Sequence, residues 1–226
     1  PAPIPITIFF PYIFFFINLA NCKLLSTRNK FTFEYSLACL SYFNKKSNTN
    51  LTIGRSPIWW GQTFHSTLII NPSSGPYDNI YFKQGLNKNF SLEAFSSQLN
   101  SKRLNDNIYN RFLSGHRLSY QSNDQKLIFN IGELFLYTGI NKSLDIRYLN
   151  PVIPYFIVDV NKDDIGADNS NSILFLDTRF NINKGSSFYF ELLLDDYQID
   201  DTGVENALGA KLGIDYRIML FKKKIF

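Results

Sequence analysis

Between Ala207 and Leu220 the chain alternates without a break between two kinds of residue. Leu208, Ala210, Leu212, Ile214, Tyr216, Ile218 and Leu220 form an apolar row. Ala207, Gly209, Lys211, Gly213, Asp215, Arg217 and Met219 form the other, small at one end and charged in the middle. Successive side chains of a strand point to opposite faces, so this is a strand with one greasy side and one wet side. Its length narrows the choice further. About 14 residues is long for a soluble strand, where about five or six is usual. A tilted strand crossing a bilayer needs about 9–11 residues in the hydrocarbon.

Similar two-faced segments precede it. Phe31–Phe43 alternates, Asn44–Asn48 turns the chain, and Leu51–Arg55 returns. Further strands are predicted at Asn79–Leu86, Phe90–Leu99, His116–Ser122, Lys126–Tyr137 and Leu144–Leu149. Ser172–Ile182 and Ser186–Asp196 form the clearest hairpin, turned by Asn183-Lys184-Gly185. Ser101–Ser114 is polar without clean alternation and reads as a loop, and so do Asn71–Pro76 and the proline-bearing Asn150–Tyr155. His65–Ile70 is a short strand or part of an inserted segment. Val160–Asn171 is acidic but lacks the spacing of a calcium loop. Long strands joined by alternately short and long connections describe an up-and-down barrel, whereas a soluble sandwich turns about every 8–12 residues.

The expected fold is therefore all-β: an antiparallel up-and-down transmembrane β-barrel, of which this chain is an incomplete fragment. Residues 31–226 are the barrel domain. Residues 1–30 are an apolar N-terminal segment, and the run Ile4–Leu19 reads better as an aromatic membrane strand than as a secretory signal, since no basic residue precedes it. The chain starts with Pro1 and stops at Phe226 directly after a strong strand, and is read as a piece of something longer.

Composition limits the function. Phe and Tyr number 22 and 13, which suits strands and the aromatic girdles of a membrane barrel. The net charge of +4 is dispersed apart from Lys222–Lys224, so nucleic acid is not an expected partner. Cys22 and Cys39 read as free thiols. No cysteine–histidine cluster points to a metal, no cofactor is implied, and His65 and His116 sit in no nucleophile motif.

The wet faces carry the candidate chemistry. Asp145, Arg147, Asp177, Arg179, Glu191, Asp195, Lys211, Asp215 and Arg217 are expected to face a lumen, together with Glu34, Arg55 and Arg117. Both signs occur on neighbouring strands, which allows cross-strand ion pairs. Gly54-Arg55-Ser56-Pro57-Ile58-Trp59-Trp60-Gly61 breaks the pattern: Pro57 removes a ladder donor, and the adjacent tryptophans suit interface or core packing, or a sugar platform. Trp59, Trp60, Arg55 and Arg117 are the candidate polysaccharide-binding residues. A glycosidase would need two carboxylates about 5–10 Å apart, and Glu191 and Asp195 lie about 13 Å apart along one strand face. Catalysis is not expected.

Gly54-Arg55 followed by Trp60-Gly61 and Ser66-Thr67-Leu68-Ile69-Ile70 resembles a segment of the Wzi family of outer-membrane capsule-assembly proteins. His116-Arg117-Leu118, Arg147-Tyr148-Leu149-Asn150-Pro151 and Glu191-Leu192-Leu193-Leu194-Asp195-Asp196 continue the likeness in the same order, from about Leu51 to Tyr216. The resemblance implies a monomeric barrel of about eighteen strands in the bacterial outer membrane. It also implies a role in binding capsular or exported polysaccharide and assembling it at the cell surface, with outer-membrane lipid as the other partner. A porin-like channel for small sugars or ions is the competing reading, and an envelope glycan hydrolase the third.

Overall fold

The computed structural model describes residues 4–10, 13–20, 23–27, 30–34, 37–63, 66–155, 157, 170–183, 185–195 and 207–216, with side chains from Leu37 onward. Thirteen strands are described: β1 (Ile4–Phe10), β2 (Ile13–Ala20), β3 (Lys23–Thr27), β4 (Lys30–Glu34), β5 (Leu37–Asn44), β6 (Thr49–Ser56), β7 (Tyr77–Gly85), β8 (Phe90–Leu104), β9 (Asn107–Gln121), β10 (Leu127–Ile140), β11 (Ser170–Asn183), β12 (Ser186–Asp195) and β13 (Ala207–Tyr216). Eleven of them form one open sheet in the order β1-β2-β5-β6-β7-β8-β9-β10-β11-β12-β13, and β3 and β4 make a separate hairpin. From β5 to β13 each strand pairs antiparallel with the next. The fold is the all-β, up-and-down arrangement expected, as in an incomplete barrel.

The two faces differ in the sense the alternation implies. On one, Lys211 lies opposite Glu191, Glu191 opposite Asp177, and Asp177 opposite Asn130. On the other, Leu208 lies opposite Leu194 and Leu194 opposite Leu174, while Leu212 and Ile214 oppose Phe190 and Phe188. The apolar row is the exposed one. Leu208, Leu212, Ile214 and Tyr216 are 68, 66, 70 and 70% exposed, while Glu93, Asp177 and Glu191 of the polar face are buried. A soluble domain buries the first group and exposes the second. The polarity here is inverted.

The middle of the sheet is covered on both sides. The connection between β6 and β7 folds over the polar face, bridged by Trp60 and Ile70 through reciprocal backbone hydrogen bonds of 3.2 and 3.1 Å. It builds a core of Ile58, Trp60, Ile69 and Ile70 on Phe95, Leu134 and Phe175. The segment after β10 folds back over the other face and adds Tyr148 and Tyr155 to Phe112, Phe135 and Tyr137.

Several expectations are corrected. Ser101–Ser114 is not a loop but the distal part of the β8–β9 hairpin. Its register shifts between Leu99 and Lys102, which breaks the alternation, and its two-residue turn holds Asn105 and Asp106 at φ of 48° and 63°. Leu144–Leu149 is not a strand. Ile146–Leu149 is a 3₁₀ turn, because the Asp145 carboxylate accepts from the Arg147 N–H and closes a local cap. Phe31–Phe43 is divided, its first part in β4 and its second in β5.

Candidate functional site

The polar face holds the inner loop, residues 57–76, through four side chains. Glu191 on β12 accepts from the Gln62 N–H at 2.9 Å through Oε1 and from the Leu68 N–H at 2.8 Å through Oε2. Asp177, opposite it on β11, accepts from the side-chain amides of Gln62 and Asn130. Arg179 donates to the Gln62 carbonyl at 2.6 Å and pairs with Asp215 at 2.8 Å. Lys211 donates to the Ser66 carbonyl and hydroxyl at 2.5 and 2.8 Å. Unpaired backbone amides are costly when buried, and here charged strand residues supply the acceptors. Gly61 makes the close approach possible: its φ is +132°, and a Cβ there would lie 2.5 Å from Thr67 and 2.9 Å from Glu191 Oε1.

A second knot lies beside the first. Glu93, buried near the start of β8, pairs with Lys83 at 3.0 Å and Arg117 at 2.8 Å, and accepts from the Tyr81 hydroxyl at 2.6 Å. The Arg117 guanidinium also sits 4.9 Å from the centroid of the Trp60 ring.

A third cluster lies on the apolar face, under the strap formed by residues 141–155. Glu133 accepts from the Tyr155 N–H at 2.7 Å and the Ser172 hydroxyl at 2.6 Å, with His116 Nε2 3.7 Å away. The Tyr155 ring packs on His116, and its hydroxyl donates to the Tyr148 carbonyl at 2.9 Å. Burial, then the Glu133 charge, push the Tyr155 phenol well above its usual range. Ser172 donates to Glu133 and not to the imidazole, so serine, histidine and carboxylate meet without the order a nucleophile needs. Tyr155→Phe removes one buried donor and its bond to the Tyr148 carbonyl, so it should cost about 1–2 kcal/mol in denaturant unfolding. A loss within error would mean the strap is not held by that bond.

The structure unites some of the predicted residues and separates others. Asp177, Arg179, Glu191, Lys211 and Asp215 share the polar face around the inner loop, and Asp195 follows Glu191 along β12 on that side. Arg117 joins them through Glu93. Asp145 and Arg147 do not face this side: they pair with each other at 2.7 Å on the strap, since the 3₁₀ turn takes them out of the sheet. Arg55 is also not on the expected lumen side: by strand parity it shares the opposite face with Leu51 and Ile53, where it pairs with Asp78 at 3.0 Å. Trp59 is 42% exposed, but Trp60 is 1% exposed, with Phe95, Phe175 and Arg117 around its ring, so it offers no open platform. The Arg217, Glu34 and His65 side chains and the acidic stretch up to residue 169 lie outside the described residues.

Sequence reasoning missed Glu93, Glu133, Lys83 and Gln62. The signal for Glu93 was its place between Leu92 and Ala94 in a long strand, where a buried carboxylate requires partners. Comparison with protein-family models, with curated proteins and with solved structures finds no match.

Proposed function

We propose that this chain forms part of the wall of a bacterial outer-membrane β-barrel that binds capsular or exported polysaccharide and helps assemble it at the cell surface. The observation that carries the membrane reading is the inverted polarity of the sheet. From Ala207 to Tyr216 β13 runs 10 residues with an exposed apolar row, against the about 9–11 residues a tilted barrel strand needs to cross the hydrocarbon. The glycan reading is supported by the polar face, which offers amides, hydroxyls and charges of both signs, and by the order of motifs resembling the Wzi family. Glu191 takes no catalytic part in this reading, because both its oxygens are occupied by loop amides.

Retention of the detergent-folded protein on capsular polysaccharide from its own host tests the glycan role. Retention that survives moderate salt and is competed by free glycan is the expected result. Absence of retention with steady single-channel current in a planar bilayer would replace the proposal with a porin-like channel.

The membrane reading has its own test on β13. Leu212 and Tyr216 are almost equally exposed, at 66 and 70%. On a soluble surface, arginine at either site would be nearly neutral. In a bilayer, Leu212→Arg near the midplane should cost about 2–4 kcal/mol and Tyr216→Arg near the interface about 0–1. Equal responses in vesicle unfolding titrations would remove the lipid assignment.

A further inference from the structure

At the end of the sheet that carries the short turns, the polar face opens into a cleft of about 330 Å³ between the inner loop and the hairpin tips. Its size lies at the lower bound for ligand sites. Three cations line it, Lys83, Lys88 and Arg117, against one carboxylate, Glu93. Glu93 is shared by Lys83 and Arg117, and Lys88 stands in no ion pair among the described residues. The lining therefore carries an excess of two positive charges. Around these stand Gln62, Gln121, Asn48 and Asn130, whose amides both donate and accept. The Ser119 hydroxyl, buried at the wall, has no hydrogen-bond partner among the described residues. A buried hydroxyl without a partner is costly unless something else satisfies it.

Amides and a free hydroxyl match the hydroxyl groups of a sugar, and surplus cations match a carboxylate. We infer that this cleft takes a uronate residue of an acidic glycan, its carboxylate set between Lys83 and Lys88 and its hydroxyls on the surrounding amides and Ser119. This deepens the polysaccharide-binding reading and rests on it. It names the chemical class of sugar and the place where its charge is read.

The test compares a linear oligogalacturonate with a neutral maltooligosaccharide of equal length, both titrated into the detergent-folded protein. The acidic probe should bind at least tenfold more tightly. Lys88→Glu, on an exposed turn, and Lys83→Gln should each weaken it about tenfold and leave the neutral probe unchanged. Equal binding of both probes, or unchanged acidic binding in both variants, overturns the inference. Retention on the host capsular polysaccharide is measured in the same samples. If wild type and both variants hold that polysaccharide alike, the cleft assignment fails and the capsule reading stands. If neither the capsular polysaccharide nor the oligogalacturonate is bound, both fall.

Discussion

Trp60→Ala should destabilise the protein by about 3–5 kcal/mol, the range for truncating a buried aromatic. The ring meets Phe95 edge-on at 4.9 Å between centroids and Phe175 at 5.6 Å, and the Arg117 guanidinium lies over it. Gly115 belongs to the same fit, since a Cβ at that position would come within 2.8 Å of Trp60 Cζ3. Truncation leaves a cavity lined by these groups, in a sheet whose backbone cannot close over it. It also frees the Arg117 side chain that pairs with Glu93. Trp59→Ala is the matched control. That residue is half-exposed, and its loss should cost about 1 kcal/mol or less. Equilibrium unfolding in urea from vesicles separates the two, and equal costs would mean the inner loop is not seated as described.

The contrast between these adjacent tryptophans shows where sequence reading stops. Composition and the break at Pro57 place both near an interface or a core, but alternation is lost in the loop and nothing in the local sequence says which one turns inward. Where alternation is unbroken, the reading holds. In β11, β12 and β13 every residue pairs in register apart from the irregularity between Asn181 and Asn183, so parity assigns Lys211, Glu191 and Asp177 to one face correctly. Arg55 was within reach of the same rule, because it shares parity with Leu51 and Ile53. The β8–β9 hairpin was not, because its register shift moves the apolar residues out of phase. Leu144, Ile146 and Tyr148 alternate as a strand would, yet a single Asp145 cap turns them into a 3₁₀ segment. Short-range hydrogen bonding outcompeted periodicity there.

Glu191→Leu is expected to release the inner loop. The carboxylate is fully buried and serves two backbone N–H groups on different parts of the loop, Gln62 and Leu68. Bonds to a charged acceptor are worth about 1.5–3 kcal/mol each, so removing both should cost about 3–6 kcal/mol, and a leucine leaves two buried donors with no acceptor. Glu191→Gln should recover only part of this, since one of its two positions becomes an NH₂ facing an N–H. The loop contains no lysine or arginine between Pro57 and Pro76 but does contain Trp59, Trp60 and Leu68, so chymotrypsin reports on it directly. In the folded wild type Trp60 is buried and its backbone is bridged to Ile70, which resists cleavage. Faster cutting within residues 59–68 in Glu191→Leu, with Asp195→Asn unchanged, is the expected pattern. Equal cutting in both would show that Glu191 does not hold the loop. With the loop released, the polar face between β7 and β13 loses its cover, and a planar-bilayer current that appears in Glu191→Leu but not in Asp195→Asn is attributable to the loop, because both substitutions lie on the same face of β12.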